Sequence, residues 1–74
     1  MDYIQRLKDL REDKNLNQQK VAEYLGMKQQ QYSNYERGLR ELPIKHLIAL
    51  CKYYNVSSDY ILGFTNDLKE LPKN

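Results

Sequence analysis

Apolar residues recur along this chain at helical spacing in short runs, and asparagines, glycines and a proline interrupt them. Ile4, Leu7 and Leu10 or Arg11 fall on one face of a first helix that Asp2 would cap, with Gln5 placed to complete a capping box. Asn15 suits the left-handed stop of that helix, and Asn17 is a good N-cap for a second one over about 18–25. After a turn at Gly26-Met27, the spacing predicts a third helix over about 28–37 with Gly38 as its stop. Residues 39–42 read as a loop. Pro43 then suits the first turn of a fourth helix, where Ile44, Leu47, Ile48, Cys51 and Tyr54 repeat at i, i+3, i+4, i+7 and i+10. This is the clearest amphipathic stripe. Asn55 ends it, Ser57 caps a short fifth helix through Leu62, and Gly63 closes that one.

Leu68 and Leu71 add a weak helical pattern before Pro72. No strand signal, internal repeat or low-complexity linker interrupts the series. The expected fold class is all-α: a compact five-helix bundle over residues 1–63. Residues 64–74 form a tail that frays or docks on a partner.

At 74 residues the chain makes one domain, which buries only about 60% of its unfolded surface and leaves no depth for a catalytic cleft. Twelve basic and ten acidic residues give a net charge of +2, which permits nucleic-acid binding without announcing it. Cys51 is the single cysteine and has no internal disulfide partner. The N-terminal residues lack a signal-peptide layout and no apolar run approaches a membrane span, so a soluble cytoplasmic protein is expected.

The second and third helices carry the most specific information. Ala22 is small enough for two helices to cross closely, Gly26 permits a sharp turn, and Tyr32 and Tyr35 return apolar surface to the core. With about 100° between successive residues, Tyr32, Tyr35 and Glu36 share one side of the third helix. Gln29, Gln30, Ser33, Asn34 and Arg37 share the other. That second face is wholly polar and carries no carboxylate. An ordinary solvated face carries both signs of charge, whereas a face that enters a DNA groove excludes carboxylates because phosphates surround it. Glutamine and asparagine amides match the donor and acceptor pair of adenine N6 and N7. Gln29, Gln30, Ser33 and Asn34 are the candidates for base contact.

Glu36 sits on the core side of this helix and needs a cation there. Arg11, near Leu7 and Leu10, is the expected partner in a structural ion pair. The alternative is two separate surface charges. Lys28, Arg37, Arg40 and Lys45 are candidates for phosphate contact, as is Gln18 with the backbone donors at the start of the second helix.

The order and spacing of Arg11 to Gln18, Val21-Ala22, Leu25-Gly26, Tyr32 to Gly38 and Val56 to Gly63 resemble the Xre/Cro repressor family. The resemblance spans nearly the whole chain. It implies a lambda-repressor-like helix-turn-helix fold and a homodimer on double-stranded DNA, with two third helices in major grooves about 34 Å apart on a pseudo-palindromic operator. It also implies base contact at the positions matching Gln29, Gln30 and Asn34, phosphate contact at Gln18, and a structural pair at Arg11 and Glu36. Repression rests on this resemblance alone. Two features depart from the family pattern: Lys28 stands where serine or threonine usually caps the third helix, and Arg40 is followed by Glu41 and Leu42 in a loop that is often basic.

An enzyme is the weakest alternative. One histidine and one cysteine offer neither a nucleophile with its base nor a metal-ligand set, so no cofactor, metal or small-molecule substrate is expected. Cys51 falls on the apolar stripe and His46 off it, so a core cysteine and a surface histidine are expected. A protein-interaction module, such as an antitoxin or a partner-controlled regulator, is the serious rival. Its exposed apolar residues would form one patch, with Phe64, Leu68 and Leu71 as candidates.

Overall fold

Helix ends organise this chain, and most of them are written in local chemistry. The computed structural model describes residues 3–66. Within them run α1 (Tyr3–Asp13), α2 (Gln18–Leu25), α3 (Gln29–Glu36), α4 (Ile44–Tyr54) and α5 (Ser58–Leu62), with no strand among the described residues. The Asn17 carboxamide oxygen accepts the Lys20 N–H at 2.9 Å, and the Ser57 hydroxyl accepts the Tyr60 N–H at 3.1 Å. Each satisfies one of the donors a helix start leaves without a partner.

Four of the five helices stop by the same device. An N–H two or three residues past the helix returns to the carbonyl five positions back: Leu16 to Arg11, Met27 to Ala22, Leu39 to Asn34, and Phe64 to Asp59. The N–H before it returns three positions, as Gly26 does to Glu23 and Gly38 to Tyr35. The device needs a left-handed residue, supplied after α1 by Asn15 at φ 56 and after α2 by Gly26 at φ 73. Asn55, also at φ 56, ends α4 with the Val56 N–H on the Cys51 carbonyl.

Leu7 and Leu10 of α1, Val21 and Ala22 of α2, Tyr32 and Tyr35 of α3, Leu50 and Tyr54 of α4, Val56, and Ile61 of α5 form one buried cluster. All five helices therefore share a single core.

The proposed cap Asp2, and with it the capping box, lies outside the described residues; Gln5 donates Nε2 to Asp9 Oδ1 at 2.9 Å, one turn ahead. Two expectations are corrected. Pro43 stands before α4 rather than inside its first turn. Its extended ψ of 149 makes it the N-cap, and its carbonyl accepts the His46 and Leu47 N–H groups.

The second correction concerns the α4 stripe. Leu50 and Tyr54 are buried and Leu47 and Cys51 partly so, while Ile44 is 74% and Ile48 52% exposed. Aromatic anchoring explains the rotation. Tyr53 stacks on Tyr24 of α2 with ring centroids 4.0 Å apart, and Tyr54 enters the core beside it. Two large aromatic surfaces outweigh two isoleucines in choosing which side of α4 faces inward.

Arg6 is an unanticipated core residue, only 3% exposed. Its guanidinium lies 4.0 Å over the Tyr60 ring, and Nη2 donates to Asn66 Oδ1 at 3.0 Å, so it joins α1 to α5 and to the strand of chain that follows. Leu68 and Leu71, named above as part of an apolar patch, lie outside the described residues, whereas Phe64 is 79% exposed.

Candidate nucleic-acid interface

The second of the two crossed helices is held by its inner side. Ala22 is 1% exposed where α2 meets α3, Tyr32 is fully buried, and Tyr35 packs edge-on to it with centroids 6.4 Å apart. Behind them lies a polar anchor. Arg11 Nε donates to Glu36 Oε2 at 2.8 Å and Nη2 to Oε1 at 3.1 Å, a bidentate pair in which the Glu36 side chain is 1% exposed. Arg11 Nη1 also donates to the Leu16 carbonyl at 2.9 Å, and Gln18 Nε2 donates to Glu36 Oε1 at 3.2 Å. One carboxylate thus ties the ends of α1, α2 and α3 together.

Charge and burial oppose each other at Glu36. Desolvation pushes its carboxyl up, but the hydrogen bonds and positive charge of Arg11, together with the neighbouring Tyr32 hydroxyl and the Gln18 amide, outweigh that and hold it below the ordinary range. The hydrogen bond to Glu36 correspondingly raises the Arg11 guanidinium above its usual value, against a smaller opposing effect of burial. Burial first, and then the neighbouring Glu36, push the Tyr32 hydroxyl well above the usual tyrosine range. All three groups keep one charge state across physiological pH, so this anchor is static.

What remains outside is uniform in character. Gln29, Gln30, Gln31 and Arg37 are exposed, and Ser33 and Asn34 are half-buried. Among the described residues, no side-chain hydrogen bond or ion pair engages any of these six side chains. Glu36 is the sole carboxylate in Lys28 to Arg40, and it is turned inward. The segment therefore presents amides, a hydroxyl and cations outward, an arrangement that suits an acceptor-rich, negatively charged groove.

A family profile described as Helix-turn-helix matches residues 7–61, which takes in all of α2, α3 and α4. The chain belongs to the Xre/Cro-like helix-turn-helix family. The helix-turn-helix regulator YobD of Bacillus subtilis is 40% identical over 65 residues, covering 88% of this chain and 58% of that protein. ImmR, a regulator from the same organism, is 41% identical over 63 residues, covering 85% and 50%. The transcriptional repressor RstR of the cryptic phage CTXphi in Vibrio cholerae is 32% identical over 54 residues, covering 73% and 49%. This chain thus spans about half the length of these relatives. A transcriptional regulator from Listeria innocua superposes with a TM-score of 0.80 over 99% of this chain and 65% of its own, at 23% identity, a likeness of fold.

In this helix-turn-helix domain the remaining candidates fall in varied places. Lys28 is the N-cap of α3 and makes no side-chain cap bond, and Arg37 is its C-cap. Arg40 in the following loop and Lys45 in the first turn of α4 are exposed, as is Glu41 between them. Gln18 differs from the rest because its amide nitrogen is directed at Glu36. The helix-terminal amides of Gln18 and Gln19 are the α2 donors that the Asn17 cap leaves over.

Gln31 is a further exposed amide that the two-sided division of α3 left out. Its register, about 100° beyond Gln30, is the signal that places it at the edge of the polar face. His46, expected at the surface, is half-buried with its ring 6.1 Å from that of Tyr35. Cys51, expected in the core, is partly buried at its margin. Among the described residues no cluster of histidine, cysteine and acidic side chains is placed to hold a metal, and no helix is long and apolar enough to cross a membrane.

Proposed function

We propose that this domain is a sequence-specific repressor that binds a pseudo-palindromic operator as a homodimer and lays α3 in the major groove. The observation that carries this reading is the outward face of α3, where unengaged amides stand free while the one carboxylate of the segment is drawn into the core by Arg11. Gln29, Gln30, Ser33 and Asn34 contact base edges. Lys28, Arg37, Arg40 and Lys45 contact phosphates, and so do Gln18 and the start of α2. Arg11 and Glu36 contribute by fixing the pose of α3 against α1 and touch no DNA. Repression draws support from the named function of the phage relative RstR.

The test is selection of binding sites from random duplex DNA, then titration of the selected site with wild type and with Gln29→Ala plus Gln30→Ala at two salt concentrations. Each bidentate amide contact discriminates by about 1–3 kcal/mol, so the double variant should lose at least about tenfold in preference for the selected site. Its residual binding should stay salt-sensitive through the phosphate contacts. Failure to enrich any site, or equal enrichment by the variant, refutes the assignment.

A further inference from the structure

We infer that His46 is a further phosphate contact of this domain, one whose positive charge is supplied by a proton taken up as the DNA binds. The inference deepens the proposed function and rests on it, since it names how the same interface responds to acidity.

His46 stands in the first turn of α4, where its N–H donates to the Pro43 carbonyl at 3.0 Å. Its ring lies 6.1 Å from that of Tyr35, tilted by 51°. Tyr35 belongs to α3 and is buried, so the half-buried imidazole borders the helix that enters the groove. A helix with its side chains is about 10–12 Å across and fills a major groove about 12 Å wide. Groups that flank such a helix therefore stand against the phosphate-lined walls and not over the bases. Arg40 in the loop and Lys45 on the same turn of α4 are exposed on the path that leads from α3 to this imidazole, and Lys45 adjoins it in sequence.

The surroundings of the ring make its charge conditional. Among the described residues no carboxylate pairs with it. Tyr35 across from it on α3 and Lys45 beside it on α4 are the titratable groups that reach it, and Arg40 and Glu41 are the exposed charges of the loop between the two helices. Burial first, and then the Lys45 charge, hold the imidazole below its ordinary value of 6.5, so the free domain carries it neutral at neutral pH. A phosphate arriving beside the ring reverses that balance. An opposite charge within about 4–6 Å favours the imidazolium, whose N–H then donates to a phosphate oxygen. By linkage, a proton taken up on binding means that affinity rises as pH falls. His46 is the single histidine of the chain, so this response rests on one side chain.

Fluorescence anisotropy of the full chain on its selected duplex, from about pH 8 to about pH 5.5 at fixed salt, tests this together with NMR of the His46 Hε1 resonance in the free and bound protein. Wild type should bind at least about fivefold more tightly at the acid end, the gain that a rise of about one pH unit in the bound imidazole supplies. That gain should shrink as salt is raised. The bound resonance should titrate at higher pH than the free one. His46→Gln should change by less than about twofold over the same range, and His46→Arg, permanently charged, should bind at the alkaline end as tightly as wild type does at the acid end. Circular dichroism checks that each variant is folded, and the wild-type resonance decides the inference where a variant is not. Equal affinity of wild type at both ends of the range, an equal pH response in His46→Gln, or a resonance that titrates at the same pH free and bound would each overturn the inference. Absence of any preferred duplex at every pH refutes the proposed function and the inference with it, whereas a preferred duplex bound without pH dependence refutes the inference alone.

Discussion

Replacing Arg11 with methionine should expose how the whole domain depends on one buried carboxylate. The substitution keeps a long apolar stem and removes both hydrogen bonds to Glu36 as well as the one to the Leu16 carbonyl. Glu36, 1% exposed, is left with the Gln18 amide as its remaining side-chain donor among the described residues. An orphaned buried charge of this kind costs about 3–5 kcal/mol. A domain of this size holds on the order of 5–10 kcal/mol in total, so the variant should be marginal at pH 7. The pH dependence gives the sharper signature. In wild type the folded Glu36 carboxyl lies below its unfolded value, so its contribution is fully present above the unfolded value of 4.5 and is lost as pH falls through the folded one. Without Arg11, burial dominates and the folded carboxyl lies above 4.5. Its penalty is then largest at neutral pH and shrinks as pH drops toward 4.5. Urea melts of both proteins at pH 7, 6 and 5 should show the stability gap narrowing with acidification. A gap under about 1 kcal/mol at pH 7, or one independent of pH, refutes the reasoning. The double replacement Arg11→Met with Glu36→Leu should recover most of the loss, because removing both charges abolishes the desolvation penalty.

Two further outcomes follow from placement. Leu50→Ala should cost about 2–5 kcal/mol in chemical denaturation, whereas Ile48→Ala, on the stripe that helical spacing assigned to the core, should fall within about 0.5 kcal/mol of wild type. Lys28→Ser should supply the side-chain cap that α3 lacks and stabilise the fold by about 0.5–2 kcal/mol in thermal melts. The same change should weaken DNA binding at all sequences alike and reduce the slope of log affinity against log salt by about one, the mark of a lost phosphate contact.

Local chemistry made the helix boundaries legible. Asn15, Asn17, Gly26, Gly38, Asn55, Ser57 and Gly63 act through hydrogen bonds that span five residues or fewer, so the spacing of these residues determined where α1 to α5 end. The inward turn of Tyr32, Tyr35 and Glu36 was likewise readable, since three large residues at helical spacing admit one inward side of α3.

Tertiary structure decided what helical periodicity leaves degenerate. The apolar residues of α4 spread over more of its circumference than the core covers, and the Tyr24–Tyr53 stack, made between residues far apart in sequence, chose the side that Ile44 and Ile48 lost. Arg6 is a charged residue that sequence alone assigns to solvent, and only Tyr60 and Asn66, more than fifty residues away, make its burial tolerable. Gln18 reads from sequence as a free amide at a helix start, yet the meeting of three helix ends brings Glu36 within its reach. The amino-acid order determined the elements and the polar face of α3, because those depend on neighbours along the chain. The rotation of α4 and the partners of Arg6 and Gln18 depend on which distant side chains arrive beside them, and packing alone settles that.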